Sequence, residues 1–267
     1  MRVQPSSFNL SWALIALAGL ATACEREAPP PITDAGGIYQ PATLAEAVLL
    51  RNGTAVENFL ALGVDPNEPE ADGTTPLMRA VHGQVPAIAQ LLIDAGADVR
   101  KANYYGVTAL YIAARAGDAV ATRMLLAAGA DANATLPAGE TVLMTAAKAG
   151  NADVVRALLT GGFDGVSLAE LGEVRAAARV AEAAGYSLPT NPAIATNYAD
   201  VSARERWYGR TALIIAAAEG HGDVVALLIE AGSDVNVLDE EGSSALSLAR
   251  DYGHLDVAAQ LAEAGAR

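Results

Sequence analysis

Three histidines and one cysteine are the side chains of this 267-residue chain that would suit nucleophilic or metal chemistry. His82, His221 and His254 form no His-x-x-x-His pair, and Cys24 has no second cysteine for a disulfide. His221 and His254 each follow a glycine, which favours a role in turn structure over catalysis. The chain also lacks a phosphate-binding glycine loop and a serine nucleophile motif, so the sequence predicts no enzyme, no catalytic residue, no metal site and no cofactor.

The acidic residues are spread through turns, and their carboxylates are suited to capping local backbone N–H groups. They include Asp65, Asp98, Asp131, Asp164 and Asp234. The run Asp239-Glu240-Glu241 lacks the ligand spacing of a calcium loop. A net charge of −14 argues against nucleic acids and anionic lipids, because phosphate neutralisation needs clustered Lys and Arg.

The N-terminus has the order of an export signal. Arg2 precedes an uncharged stretch from Trp12 to Ala23 that ends in small residues, which predicts a signal peptide over residues 1–23. Twelve residues are too few to cross a bilayer, which needs about 20 in a helix. Residues 20–24, Leu-Ala-Thr-Ala-Cys, resemble a bacterial lipobox. Lipidation of Cys24 and simple cleavage into the periplasm both stay open, and the Pro- and Gly-rich residues 24–41 are expected to form a tether.

Glycines recur at an interval of 33 in the rest of the chain, and they mark sequence repeats. One series is Gly73, Gly106 and Gly139, continued by Gly209 and Gly242. Each of these glycines is followed by a hydroxyl residue, then Leu and Ala, as in Thr75, Leu77 and Ala80. A second glycine series closes each unit.

Each unit is predicted to be two helices joined by a turn. The Thr or Ser caps the first helix, and the second helix carries apolar pairs one turn apart, such as Val154, Val155, Leu158 and Leu159. No unit can bury that stripe by itself, so the units must stack. The alanine-rich composition, 52% hydrophobic but only 5% aromatic, suits such close helix packing.

Residues 75–80, Thr-Pro-Leu-Met-Arg-Ala, resemble the signature of the ankyrin-repeat family. The turns at 129–133 and 232–236 resemble the family's inter-repeat turn, and the likeness covers about residues 40–267. It implies an all-α solenoid of helix-turn-helix units with short β-hairpin-like turns. The signature His is replaced in this chain, which leaves the capping bond it makes in question; the replacements are Met78, Tyr111, Met144, Ile214 and Ser247.

The spacing predicts an ankyrin-repeat domain at 42–267 with about six repeats and one irregular unit. The repeats run approximately over 40–72, 73–105, 106–138, 139–171, 209–241 and 242–267. Gly139 and Gly209 are 70 residues apart, four more than two periods, so the irregular unit is expected at about 172–208. Its end, 187–208, is interpreted as a long loop, and such loops are often functional.

The resemblance implies that a partner protein binds on the concave face, formed by the turn tips and the exposed side of the first helices. The partner-binding residues expected there are Tyr104, Tyr105, Tyr111, Arg115, Lys148, Arg206, Trp207 and Tyr208. Aromatic residues and Arg are common interface anchors. The alternative to binding is that Tyr111 packs between repeats and that Tyr104 or Trp207 shields a hairpin.

The sequence therefore predicts a monomeric, non-enzymatic protein-binding module of the bacterial cell envelope. It would lie in the periplasm, either free or anchored through Cys24, and would bind neither nucleic acid nor, apart from such an anchor, membrane. An inhibitor or immunity protein that neutralises a periplasmic toxin or enzyme is the alternative. A third hypothesis, from another class, is an enzyme or metal-dependent hydrolase that uses residues 187–208.

Overall fold

The computed structural model describes residues 40–162, 167–168 and 198–267. The predicted signal peptide, Cys24 and nearly all of the predicted tether lie outside them. One compact unit, Thr43–Arg267, contains twelve helices within the described residues, and they follow one another as six pairs. The helices are α1 Leu44–Leu49, α2 Gly53–Ala61, α3 Pro76–His82, α4 Pro86–Asp94, α5 Ala109–Ala116, α6 Ala119–Ala127, α7 Val142–Lys148, α8 Ala152–Thr160, α9 Ala212–Glu219, α10 Gly222–Glu230, α11 Ala245–Asp251 and α12 Leu255–Glu263.

The first helix of every pair begins at a hydroxyl side chain, as predicted. The hydroxyl oxygen accepts the backbone N–H three residues later, at 3.1–3.4 Å, and so satisfies a donor that the helix cannot. The six caps are Thr43, Thr75, Thr108, Thr141, Thr211 and Ser244. In two pairs the residue at the signature-His position completes a reciprocal bond, through Met144 Sδ and Ser247 Oγ. The capping bond is thus restored there without histidine.

The pairs stack in two layers. First helices pack on neighbouring first helices and second helices on neighbouring second helices. The alanine near the middle of each first helix is almost fully buried; Ala113, Ala146, Ala216 and Ala249 are 0% exposed. A side chain of one carbon lets the helices approach closely, which confirms the expected reason for the alanine-rich composition.

The structure places the repeat that starts at Gly209 directly on the repeat that starts at Gly139, because α9 packs on α7 and α10 on α8. A hydrogen bond after α8 joins residues that are far apart in the sequence: Ala199 N–H donates to the Leu158 carbonyl at 3.0 Å. In the preceding repeat Ala130 N–H donates to Leu125 at 2.9 Å, only five residues back.

Residues 198–208 are the described part of the expected long loop. They form the turn that opens the fifth repeat, and Asn133 bonds the Tyr198 carbonyl and the Asp200 N–H across the stack. Asn67 makes the same two bonds two periods earlier, to Gly96 and Asp98. The additional residues of the interval lie between Gly162 and Tyr198, and the remainder of the expected irregular unit, 172–197, lies outside the described residues.

His221 and His254 hold neighbouring repeats together. The Nε2 of His221 lies 3.1 Å from the Lys148 carbonyl, and that of His254 lies 3.1 Å from the Ala218 carbonyl. Both carbonyls belong to the C-terminal turn of a first helix in the preceding repeat, where helix carbonyls lack intrahelical donors. Nε2 must therefore carry the proton, and the structural interpretation of these two histidines is confirmed.

Candidate functional site

The turn tips form a continuous row along one edge of the stack. Backbone bonds join three pairs of neighbouring tips: Tyr104 N–H donates to the Asp72 carbonyl at 3.1 Å, and Arg206 N–H donates to the Ala138 carbonyl at 3.1 Å. Glu240 N–H donates to Tyr208 at 2.7 Å. A side chain on one tip therefore has a fixed position relative to the next.

Four large aromatic side chains on this row face solvent. Tyr104 is 78% exposed, Tyr105 68%, Trp207 70% and Tyr208 50%. Clustered exposed aromatic rings are typical of protein-binding surfaces, since they are large, rigid and amphipathic. The structure thus places all four predicted tip residues where a partner can reach them.

The tip of the fifth repeat is one residue longer than the others. Asn103 N–H and Asp239 N–H each pair with the carbonyl four residues on, whereas Glu205 N–H pairs with the Arg210 carbonyl, five residues on, at 3.1 Å. Arg206 lies against Gly139 as Tyr104 lies against Gly73 in the earlier tip. Trp207 is therefore the additional residue.

Glu205 supports this longer tip. Its carboxylate accepts the N–H groups of Trp207 and Tyr208, each at 2.6 Å. In the shorter tips, the carboxylate of Asp239 and the amide oxygen of Asn103 accept the N–H groups two and four residues on. The additional methylene of Glu matches the additional residue of the turn.

Arg210 is held firmly beneath Tyr208. Its Nε lies 3.0 Å from Asp239 Oδ2, its Nη2 lies 3.2 Å from Glu241 Oε2, and its Cζ lies 4.9 Å from the centre of the Tyr208 ring. Burial acts to raise the pKa of Asp239, but the Ser243 N–H, Arg210 and Glu241 N–H outweigh it and the pKa lies below its usual value. Burial likewise acts to lower the pKa of Arg210, whereas Asp239 and Glu241 raise it above its usual value. The guanidinium is thus already paired, and it fixes the Tyr208 ring.

A pocket of about 240 Å³ lies between this tip and helices α7 and α9. Met144, Ile215 and Ala218 supply its apolar surface, and Trp207 and Tyr208 line the tip side. The charged lining residues are Glu140, Glu205, Glu219, Lys148 and Arg210. The pocket depends on direct contact between the fourth and fifth repeats.

The structure brings three of the predicted site residues together at this pocket: Lys148, Trp207 and Tyr208. Arg206 is exposed on the same tip but does not line the pocket. The other four lie one repeat or more away: Tyr104 and Tyr105 on the tip that opens the third repeat, Arg115 exposed on α5, and Tyr111 half-buried against the core. For Tyr111 the packing alternative thus accounts for part of its surface.

Sequence analysis did not identify Glu140, Glu205, Arg210 or Glu219 as site residues. One signal for Glu205 is present: it stands four residues before Gly209, whereas Asn103 and Asp239 stand three before their glycines. Because the interval before this repeat is irregular, the 33-residue spacing does not align Glu205 with Asn103 and Asp239. The three glutamates and Arg210 line one pocket because the fourth and fifth repeats are in direct contact.

Within the described ranges, no group of three or more His, Cys, Asp or Glu side chains is arranged to bind a metal ion. In the same residues, no helix combines the length and hydrophobicity that crossing a bilayer requires.

Comparison with known families agrees with the repeat geometry. A family model for ankyrin repeats (3 copies) matches residues 44–136 and 184–267, and a single ankyrin-repeat model matches 138–167. The chain belongs to the ankyrin-repeat family. A crystal structure of an ankyrin repeat domain from Acinetobacter baumannii AYE is similar at 26% identity with a TM-score of 0.67, covering 84% of this chain and 98% of that one. Ankyrin repeats are generally protein–protein interaction modules, and the row of turn tips is where this ankyrin-repeat chain exposes Tyr104, Tyr105, Trp207 and Tyr208.

Proposed function

We propose that this ankyrin-repeat protein binds a partner protein at the pocket between its fourth and fifth repeats. The observation that supports this most is Trp207, an additional residue in the longest tip, 70% exposed beside a largely apolar pocket. An exposed Trp next to a concave apolar surface has the features of an interface anchor, because burying it would release much apolar area from water.

The proposed partner lies in the bacterial cell envelope. Support comes from the order of Arg2, the uncharged stretch that ends at Ala23, and the lipobox-like residues before Cys24. In this proposal, the repeats bind in the periplasm while the N-terminal segment, lipidated or cleaved, determines whether the protein is tethered. The mass of the mature N-terminus distinguishes the two forms.

Partner capture from intact cells tests the binding site. After crosslinking and purification, Trp207→Ala should recover at least about tenfold less partner than wild type, since truncated hot-spot residues commonly cost more than 1.4 kcal/mol. Its melting temperature should stay within a few degrees of wild type, because a side chain that is 70% exposed contributes little to folding.

Leu62→Ala is the matched control, because Leu62 is 80% exposed on the first repeat and does not line the pocket. It should capture as much partner as wild type. Equal capture by wild type and Trp207→Ala would exclude this placement of the site.

An inhibitory role is the second candidate, favoured by the net charge of −14 and by the three glutamates at the pocket. A basic toxin or enzyme would be attracted by such a surface. An inhibitor should abolish the activity of the captured partner at a one-to-one ratio. Full activity of the partner in the complex would leave only the binding role.

A further inference from the structure

We infer that the pocket between α7 and α9 accepts an arginine or lysine side chain of a basic partner protein, an inference that rests on the proposed function. The pocket has the size for one side chain. Its volume of about 240 Å³ is below the roughly 300–1,000 Å³ of pockets that enclose whole small molecules.

The surfaces of the pocket match the two parts of such a side chain. Met144, Ile215 and Ala218 can cover an aliphatic stem, which Lys and Arg commonly bury along apolar surface. Trp207 stands at the mouth, and a Trp face attracts guanidinium and ammonium groups more strongly than other rings do. A cationic head group would therefore have an aromatic contact as it leaves the apolar floor.

The charges around the pocket favour a cationic occupant, although a count of the charged lining residues does not show this. Three acids and two bases line the pocket, but Arg210 is already paired with Asp239 and Glu241. Lys148 is then the one cation of the lining that forms no ion pair among the described residues. Against it stand Glu140, Glu205 and Glu219, in a chain whose net charge is −14.

An acidic segment would meet these carboxylates as like charges, and a nucleic acid would find no cluster of bases to neutralise its phosphates. Because Lys148 lines the pocket, neutralising it tests whether the group that occupies the pocket is positively or negatively charged. A cationic occupant should bind better once Lys148 is neutral, whereas an anionic occupant should bind worse.

Peptide titration can test the charge preference directly. Trp12 and Trp207 are the two tryptophans of the chain, so a Trp12→Phe background makes fluorescence report on Trp207 alone. A hexa-arginine peptide should give a saturable change. The isosteric but neutral hexa-citrulline peptide should bind at least about tenfold more weakly, and hexa-glutamate should give no change. Equal binding of the arginine and citrulline peptides would overturn the inference.

Variants then locate the binding. Glu219→Gln should weaken hexa-arginine binding about two- to fivefold, as expected for one partly exposed charge pair, and Lys148→Gln should strengthen it. Glu230→Gln removes the same charge from α10, outside the pocket, and should leave the affinity unchanged. Weaker binding on Lys148→Gln, or equal losses for Glu219→Gln and Glu230→Gln, would refute a cation site in this pocket.

The two proposals fail separately. If hexa-arginine does not bind but partner capture still depends on Trp207, the site stands and its preference for a cation is wrong. If hexa-arginine binds and Glu219→Gln weakens it, but Trp207→Ala captures as much partner as wild type, the pocket is a cation site that the cellular partner does not use.

Discussion

Replacing Gly220 with Ala should destabilise the protein more than replacing Gly253 with Ala, although both glycines have nearly the same backbone conformation. They occupy the same position of successive repeats, with φ of 79° and 84°. A Cβ on Gly220 would clash with Nδ1 of His254, whereas a Cβ on Gly253 would have no atom within 4 Å. The pair therefore separates backbone strain from the loss of an inter-repeat contact.

The expected magnitudes follow from these contacts. An alanine in the left-handed region costs about 1–2 kcal/mol, and both variants incur that cost. In Gly220→Ala the His254 ring must also move, which breaks its 3.1 Å bond to the Ala218 carbonyl. Such a bond contributes about 1 kcal/mol, so the total loss should reach roughly 2–3 kcal/mol. Gln84 occupies the same place in the second repeat with a φ of 53°, so a residue with a side chain is accommodated there. This supports the smaller loss, about 1–2 kcal/mol, for Gly253→Ala, where the added Cβ has open space.

Urea unfolding at neutral pH, followed by far-UV circular dichroism, measures both losses. His254→Ala in the wild-type and Gly220→Ala backgrounds completes a double-mutant cycle, and the two changes should overlap by about 1 kcal/mol because they break the same bond. Equal losses for the two glycine variants, or strictly additive effects in the cycle, would show that the His254 contact does not couple these repeats.

Two further predictions concern the fifth tip and its support. Asp239→Asn should lower the free energy of unfolding by about 1–3 kcal/mol at pH 7, because it removes the charge that pairs with Arg210. The folded pKa of Asp239 lies below 3.8, so the difference in stability from wild type should shrink only as the pH falls below about 4. Urea unfolding measures this difference, and an unchanged difference at pH 3 would contradict the prediction. Glu205→Ala removes the acceptor of the Trp207 and Tyr208 N–H groups and should weaken partner capture nearly as much as Trp207→Ala. Glu205→Gln keeps an acceptor and should weaken capture less. Capture unaffected by Glu205→Ala would show that Glu205 does not position the tip.

The repeats and their helix caps could be predicted because their signals are local. Thr75 caps α3 three residues away, and a hydroxyl at that distance accepts the orphan N–H wherever the helix lies in the fold. The alanine and valine positions follow from helical periodicity, and Ala146 and Val154 are 0% exposed as that periodicity requires. The structural interpretation of His221 also followed from its place after a glycine.

The candidate site could be predicted only in part. The exposure of Tyr104 and Trp207 follows from their positions on turn tips before glycines. The pocket does not, since its lining joins Met144 to Ile215 across an interval that sequence spacing assigned to a separate unit. Charge count was equally insufficient, because only the ion pairs show that Arg210 is already paired.

The sequence by itself determined the family, the caps and the buried face of each helix, because each depends on residues within one unit of 33. Tertiary structure decided which units are neighbours, and therefore that Trp207 stands over α7 and α9. The physical reason is that stacking depends on complementary helix surfaces. The α7–α9 and α8–α10 contacts therefore form even though more than 30 residues of chain separate Gly162 from Tyr198.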